Sequence, residues 1–222
     1  MNTKQVMARL EEWGDAQRRA FNAKRGAGDN LFGVKTGDIR TLAKEIKVDH
    51  ELGLSLWKTG NADAQMLAIL IVRAQDLSTR QLSTMVKEGT CEWVADWLSS
   101  YVTKKHPDTE LVREKWMKSK DVMTKRAGWS LTSERIAKSP DGLDLEALLD
   151  RLEKEMPKAA PQAQWTMNTC LANIGIYHPE HRDRAVAIGE ALGLYREYRV
   201  SKGCVSPFVP IYISEMVSRQ RA

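Results

Sequence analysis

Helical periodicity runs through this chain from end to end and constrains its fold more than any other feature. Apolar residues recur at steps of three and four from Thr3 to Lys24, as on one face of a single helix. Helix-start signals introduce later apolar stretches: Thr36 and Asn61 can each cap a helix, and residues 78–81 fit a capping box. Hardly any segment alternates apolar and polar residues as a strand does. We therefore expect an all-α fold.

The rhythm of the helices favours a repeat architecture. We expect about 11–12 helices, and successive pairs of about 35–45 residues are typical of HEAT-like repeats, which stack into a superhelix, or α-solenoid. Because no crisp sequence repeat is present, a compact irregular bundle stays open. We expect residues 1–222 to form a single α-solenoid domain, with a C-terminal tail that is extended around Pro207 and Pro210 and then helical.

Composition and segment lengths indicate a globular protein. Hydrophobic residues make up 42% and charged residues 28% of the 222 residues, which argues against disorder. Three scattered cysteines without a CxxC pair are typical of a reducing compartment. The longest apolar run, residues 66–72, is too short to span a bilayer, and the N-terminus lacks the apolar core of a signal peptide. We expect a cytoplasmic protein that does not bind membranes.

Positive charge is concentrated in one stretch. The net charge of the chain is +5, and residues 112–138 alone carry eight basic and three acidic side chains. Such a stretch predicts a face that binds a polyanion, although a solvated helix surface has the same pattern. The basic residues that we select as candidate DNA contacts are Lys118, Lys120, Lys125 and Arg126.

Tryptophan is unusually frequent, and an acid lies among the indoles. Five of the seven tryptophans, at positions 93, 97, 116, 129 and 165, fall in or near the basic stretch. Indole rings stack on nucleobases and stabilise cations, or they fill gaps between helices. Asp96 lies between Trp93 and Trp97, where a carboxylate can stabilise a cationic sugar and hold a water, or accept an internal hydrogen bond.

Other catalytic equipment is sparse. The sequence has no glycine-rich nucleotide loop, zinc-protease motif or nucleophile elbow. The histidines at 50, 106, 178 and 181 stand at predicted helix boundaries, and no cysteine or carboxylate spacing completes a metal set around them. We expect structural roles for these histidines and neither a metal nor a cofactor.

Several segments, taken in order, resemble the DNA alkylation repair enzymes that are built from HEAT-like repeats. The resemblance covers most of residues 30–215. The segments are Leu-Phe-Gly-Val-Lys (31–35), Ile-Arg-x-Leu-Ala-Lys (39–44), Leu-Trp (56–57), residues 61–69, Glu-Trp-Val-Ala-Asp (92–96) and Lys-Arg-Ala (125–127). This resemblance implies a monofunctional DNA glycosylase that hydrolyses the N-glycosidic bond of cationic alkylpurines, such as 3-methyladenine and 7-methylguanine. It also implies that the duplex is held on a basic concave face and that the base is excised without extrusion.

The resemblance also implies roles for individual residues. Asp96 matches the catalytic acid, and Arg126 matches the arginine that contacts the DNA backbone. The family pattern has tryptophan four residues before the acid, where this chain has Glu92, and Trp93 follows it. The second lesion-contacting tryptophan aligns with Thr169, and Trp165 is the nearest indole.

We therefore predict Asp96, Trp93 and Trp165 as catalytic residues of a monomer that acts on alkylated duplex DNA. Trp97, Trp129, Arg126 and the three lysines are the predicted DNA contacts. The alternative function is a non-catalytic HEAT-like solenoid that binds nucleic acid or protein.

Overall fold

The structure of this protein is a computed structural model that describes residues 1–221 and, of Arg221, only the backbone. Residues 1–221 form thirteen α-helices joined by turns, with no strand. The all-α prediction is confirmed. The chain divides into two compact units, Met1–Val112 and the residues from Arg113 onward, and the boundary falls inside one helix. None of the described helices is long and apolar enough to cross a membrane.

The first unit is built around one buried helix, α5. Its N-cap Asn61 accepts hydrogen bonds from the backbone N–H groups of Asp63 and Ala64, as its position in the sequence predicts. Helices α3, α4 and α7 pack against it, so that nearly all its residues are buried. The helices of this unit are α1 (Thr3–Glu12), α2 (Ala16–Asn22), α3 (Thr36–Ile46), α4 (His50–Trp57), α5 (Ala62–Ile71), α6 (Thr79–Glu88) and α7 (Glu92–Tyr101).

A buried polar residue of α5 fixes the chain that leads into α7. The side-chain amide of Gln65 donates to the Glu88 carbonyl at 3.1 Å, and its oxygen accepts from the backbone N–H and hydroxyl of Thr90 at 3.1 and 2.9 Å. Because both ends of the amide are paired, its burial costs little. The start of α7 is thereby held against the core of the first unit.

The N-terminal segment differs from the prediction of one continuous helix. It breaks at Gly14, and Asp15 caps the second helix by accepting from the Arg18 N–H at 2.6 Å. A Cβ on Gly14 would lie 2.8 Å from the Phe32 carbonyl oxygen, so the loop around Phe32 packs into the break. Thr36 is also not the cap of α3: Lys35 is the N-cap residue and makes no side-chain capping bond.

The second unit is also arranged around one buried helix, α11. It packs most extensively against α9 and also contacts α10, α12 and α13. Close approach to α13 requires Gly175, because a Cβ there would lie 2.3 Å from the Ile213 side chain. Helix α8 (Thr109–Trp116) contains the boundary between the units. The remaining helices are α9 (Val122–Lys138), α10 (Leu145–Glu155), α11 (Pro161–Tyr177), α12 (Arg182–Leu192) and α13 (Val209–Arg221).

Candidate nucleic-acid interface

Helix α7 carries the acid and two of the indoles that the sequence singles out. Trp93 and Trp97 are four residues apart and both half-buried, so they lie on one face of the helix. Asp96 is exposed and lies, with Glu92, on the adjoining face, about 60° from Trp93 around an ideal helix. The carboxylate of Asp96 is therefore at the surface and beside the indole face.

The two indoles of α7 line a cleft of about 290 Å³ in the first unit. The exposed Arg18 and Arg25 line the same cleft, as does the buried Asp63. This volume is at the small end of ligand sites, which span about 300–1,000 Å³. Guanidinium groups bind phosphates and indoles stack on bases, so the lining suits one nucleotide better than a large apolar ligand.

Asp63 holds one wall of this cleft in place. Its Oδ2 atom accepts hydrogen bonds from the backbone N–H groups of Phe32 at 2.7 Å and Gly33 at 2.9 Å. Burial raises the pKa of the Asp63 carboxyl above its ordinary value of 3.8, and the backbone N–H groups of residues 32–34 oppose that rise. The carboxylate therefore positions the loop of residues 31–35.

Two aromatic rings, Trp97 and Tyr101, lie side by side with a cation next to each of them. The Arg40 guanidinium lies 4.7 Å from the centroid of the Trp97 ring, which lies 5.4 Å from that of Tyr101. Arg40 also donates to the Tyr101 hydroxyl at 3.3 Å, and the Lys105 ammonium is 5.7 Å from the Tyr101 ring. Aromatic groups interleaved with cations are typical of surfaces that bind nucleic acid.

The second unit contains a pocket of about 550 Å³ whose polar lining is strongly basic. Glu155 is the one carboxylate among the lining residues, and it pairs with Arg151 at 3.1 Å and Lys125 at 3.9 Å. The excess of positive charge makes this pocket a site for anions. The basic residues that line it are Lys118, Lys120, Lys125, Arg151, Lys154 and Lys158.

Two of the predicted DNA contacts lie inside the second unit. Trp129 is 0% exposed and Arg126 is 3% exposed. The Arg126 guanidinium donates to the Gln162 carbonyl at 2.9 Å and so joins α9 to the first turn of α11. The Trp129 indole packs in the core of the second unit, with the Arg151 guanidinium 5.2 Å from its ring, so the structure offers no exposed indole face for the predicted DNA contact. Arg126 is also buried, and its contact with the DNA backbone stays a prediction.

Trp165 lies on α11 and is 36% exposed. Its ring packs against Tyr195 and Tyr198, with centroid distances of 5.3 and 5.8 Å. Thr169, where the family pattern has tryptophan, donates its hydroxyl to the Trp165 carbonyl at 3.1 Å. That Asp96, Trp93 and Trp165 act on one lesion stays a prediction.

Sequence reasoning missed several residues of these sites. Arg18, Arg25 and Asp63 line the first cleft, although Asp63 lies inside a segment that carries the family resemblance. Arg151, Lys154 and Lys158 lie outside the basic stretch of 112–138. These three residues are spaced by three and four positions, which is the sequence pattern that could have predicted a basic face at the end of α10.

Histidines hold turns together in both units. The His106 ring bridges the Leu77 carbonyl at 2.8 Å and the backbone N–H of Asp108 at 3.0 Å, and His178 contacts the Ile136 carbonyl at 2.9 Å. Within the described part of the chain, no three histidine, cysteine or acidic side chains gather as a metal site would require. These contacts of His106 and His178 are hydrogen bonds to backbone groups, as expected for histidines with a structural role.

Comparison with known proteins identifies the family. The model of the DNA alkylation repair enzyme family matches residues 6–199. The chain belongs to this family.

Two Listeria proteins are similar along most of their length. The uncharacterized protein Lin0241 of Listeria innocua is 27% identical over 86% of this chain and 85% of its own. The uncharacterized protein Lmo0209 of Listeria monocytogenes is 25% identical over 86% of each.

A solved structure confirms the HEAT-like fold. That protein is described as one of a new family related to the HEAT-like repeat DNA glycosylases, with affinity for branched DNA structures. It matches with a TM-score of 0.80 and 23% identity over 100% of this chain and 96% of its own. At this identity the likeness establishes the fold, and the helical-repeat architecture expected from the sequence is confirmed.

Proposed function

We propose that this member of the DNA alkylation repair family binds DNA through the basic pocket of its second unit. The observation that carries the proposal is the set of six basic side chains around one carboxylate in that pocket. Four of the six are exposed lysines, so they can follow the phosphates of a backbone without losing their hydration. Binding of this kind is electrostatic and largely independent of base sequence.

We further propose that the bound DNA is alkylated duplex and that the protein releases cationic alkylpurines from it. The purine departs with the electrons of its glycosidic bond and becomes neutral, which leaves positive charge on the sugar. The Asp96 carboxylate stabilises that charge and orients a water, whose oxygen bonds to the sugar carbon and whose proton passes to the carboxylate. Trp93, one turn away on α7, provides an electron-rich face for the cationic base.

A second candidate function is DNA binding without base release. Two observations favour it: Glu92 occupies the position where the family pattern has tryptophan, and the structurally similar protein is described by its affinity for branched DNA. In this case Asp96 has no chemical role, and the basic pocket alone carries the function.

Release of methylated bases from alkylated duplex DNA distinguishes these functions. Asp96→Asn preserves the shape of the side chain but removes its charge, and loss of one such electrostatic contact typically lowers rates about 10²–10³-fold. We expect that loss with unchanged DNA affinity. Glu92→Gln is the matched control, because it removes an exposed acid from the same face of α7 and leaves Asp96 intact. Its rate should be close to that of the wild type.

Four further outcomes test the remaining points of the proposal. Base release should persist in EDTA, since the reaction uses a carboxylate, a water and an indole, and sedimentation should give a monomer. A wild-type protein that binds alkylated duplex but releases no base would establish the second candidate function. Equal rates for wild type and Asp96→Asn would remove Asp96 from the mechanism.

A further inference from the structure

Three aromatic side chains of the second unit form a cluster at its surface, which we call the aromatic platform: Trp165, Tyr195 and Tyr198. Each ring contacts the other two, with centroid distances of 5.3, 5.8 and 5.9 Å. The Trp165–Tyr195 and Tyr195–Tyr198 pairs are edge-to-face, and the Trp165–Tyr198 pair is tilted by 48°. These are favourable arrangements of aromatic rings, so the cluster holds its own geometry.

The loop that supplies the two tyrosines is anchored on both sides. Tyr195 adopts a left-handed backbone with φ of 62°, and its carbonyl accepts from the Tyr198 N–H at 3.1 Å. Arg196 donates to the Glu190 carboxylate at 2.7 Å and covers the Phe208 ring at 4.4 Å. A non-glycine residue in this conformation costs free energy, and such strain clusters at functional sites.

Burial does not explain why these rings are together. Tyr198 is 50% exposed and Trp165 is 36% exposed, so large parts of both rings contact water. Exposed apolar residues that are scattered singly are ordinary, whereas contiguous exposed ones mark binding sites. The rings also pack against one another and leave no gap between them, so they do not form a cage for a cation. Their outward faces suit a flat ligand.

Positive charge adjoins the platform. Arg199 follows Tyr198 directly, Lys202 comes three residues later, and both side chains are exposed. Glu197 is the acid of residues 195–202, which also contain Arg196. Exposed aromatic rings followed by exposed cations match a nucleotide, whose base is planar and whose phosphate is anionic. A base that is paired inside a duplex does not present its face to such a platform.

We propose that the aromatic platform binds unpaired nucleobases of DNA, which stack on Trp165 and Tyr198 while Arg199 and Lys202 contact the adjacent phosphates. This site shares no residue with the lining of the basic pocket and does not include Asp96. The inference rests on the proposed DNA binding only in taking DNA as the ligand. It adds a preference for single-stranded segments, such as overhangs, gaps and junctions, to binding of the duplex.

The wild-type protein provides the first test, which needs no substitution. Fluorescence anisotropy compares a duplex with a thymine overhang and the same duplex with an overhang of abasic sugars, which keeps every phosphate and removes the bases. Stacking is worth about 1–3 kcal/mol per base, so the thymine overhang should bind at least about fivefold tighter. Equal affinities would overturn the proposal.

Substitutions assign that preference to the platform. Trp165→Leu and Tyr198→Leu should each remove most of the difference between the two overhangs, while Tyr198→Phe keeps a ring and should retain it. Tyr177→Leu is the matched control, because Tyr177 is a 44% exposed ring on the same helix as Trp165 but outside the platform. Quenching of tryptophan fluorescence by single-stranded DNA should also decrease in Trp165→Phe.

The outcomes separate this proposal from the proposed function. Platform variants that keep duplex affinity but lose the preference for bases support the inference. Unchanged preference in Trp165→Leu and Tyr198→Leu contradicts it, whatever the basic pocket does. Loss of duplex affinity in charge reversals of the pocket, with the base preference retained, concerns the proposed function alone. Tyr198 lies in a loop and half in solvent, so its substitution tests the platform even if Trp165→Leu fails to fold.

Discussion

Asp63 is a buried acid that accepts hydrogen bonds from the backbone of one loop. It is 3% exposed, and its Oδ2 atom accepts from the N–H groups of Phe32 and Gly33. Without the carboxylate, these N–H groups lose their partner inside the protein. A buried donor without a partner costs about 1–3 kcal/mol. The wall of the first cleft depends on this one side chain.

Asp63→Ala should therefore destabilise the protein by about 2–4 kcal/mol, measured by denaturant unfolding at neutral pH. Asp63→Asn keeps an acceptor oxygen in the same place and should cost less. An alanine variant as stable as the wild type would show that water or another group replaces the carboxylate.

Stability should also depend on pH through Asp63. Because burial raises its pKa above 3.8, the folded protein binds its proton more tightly than the unfolded chain does. The contribution of Asp63 to stability is thus fully present below pH 3.8 and is lost as the pH rises through the folded-state pKa. The free energy of unfolding of the wild type, relative to Asp63→Asn, should fall over that range. A difference that rises with pH would contradict the shift.

Residue types could be predicted from the sequence better than their exposure. The position of Asp96 on a tryptophan-bearing helix was readable, and the structure confirms that α7 forms there. The burial of Trp129 and Arg126 was not, because α9 carries basic residues on a helix whose middle packs against α11. The number of charged residues in a stretch of sequence does not indicate which face of its helix is covered by a neighbouring helix.

At the scale of elements, the loop of residues 31–35 packs closely against α2 at Gly33. Gly33 has a φ of 82°, and a Cβ there would lie 2.5 Å from the Arg19 backbone nitrogen. Gly33→Ala is therefore strained both in conformation and in space, and it should cost at least about 2 kcal/mol of stability. Thermal unfolding measures it.

Gly37 provides the control for that substitution. It lies in the first turn of α3 with an ordinary φ, and a Cβ added to it would meet no atom within 4 Å. Gly37→Ala should be neutral or stabilise the protein by up to about 1 kcal/mol, because alanine favours the helix. Equal effects at the two glycines would mean that the loop moves away from α2 without cost.

Two helix starts that depend only on neighbouring residues were predicted correctly from the sequence. The Asn61 cap and the capping box between Ser78 and Gln81 are confirmed, since each needs only residues within one turn. The break after α1 was missed because its cause lies in another part of the chain: the Asp15 N–H donates to the Phe32 carbonyl at 3.1 Å. Periodicity continues across Gly14 and does not reveal a contact between segments seventeen residues apart.

At the scale of the whole molecule, helix rhythm favoured the HEAT-like fold but left a compact bundle open, and the family resemblance supported the repeat architecture. Each unit surrounds one mostly buried helix, α5 or α11, which neighbouring helices cover on several sides. The single domain over residues 1–222 stays a prediction, and Ala222 lies outside the described residues. The basic pocket draws on two stretches of sequence, so a count along one window found only half of its cations.

The salt dependence of DNA affinity tests whether the basic residues of this pocket bind DNA. The logarithm of affinity falls with the logarithm of salt concentration, with a slope of about 0.9 per phosphate neutralised. Reversing three lining residues to glutamate, Lys118, Lys120 and Lys125, should weaken duplex binding and reduce that slope by about 0.9 for each phosphate that is no longer neutralised. Arg126 is left unchanged, because its burial would make a charge reversal a test of folding instead.

A matched triple reversal separates local charge from net charge. Lys4, Lys44 and Lys58 are exposed lysines of the first unit, and their replacement by glutamate changes the net charge of the protein equally. If the pocket holds the backbone, this variant should keep most of the wild-type slope, because none of its three lysines lines the pocket. Equal decreases in the two variants would mean that DNA responds to the whole surface. A pocket variant that binds like the wild type would show that these lysines are only solvated.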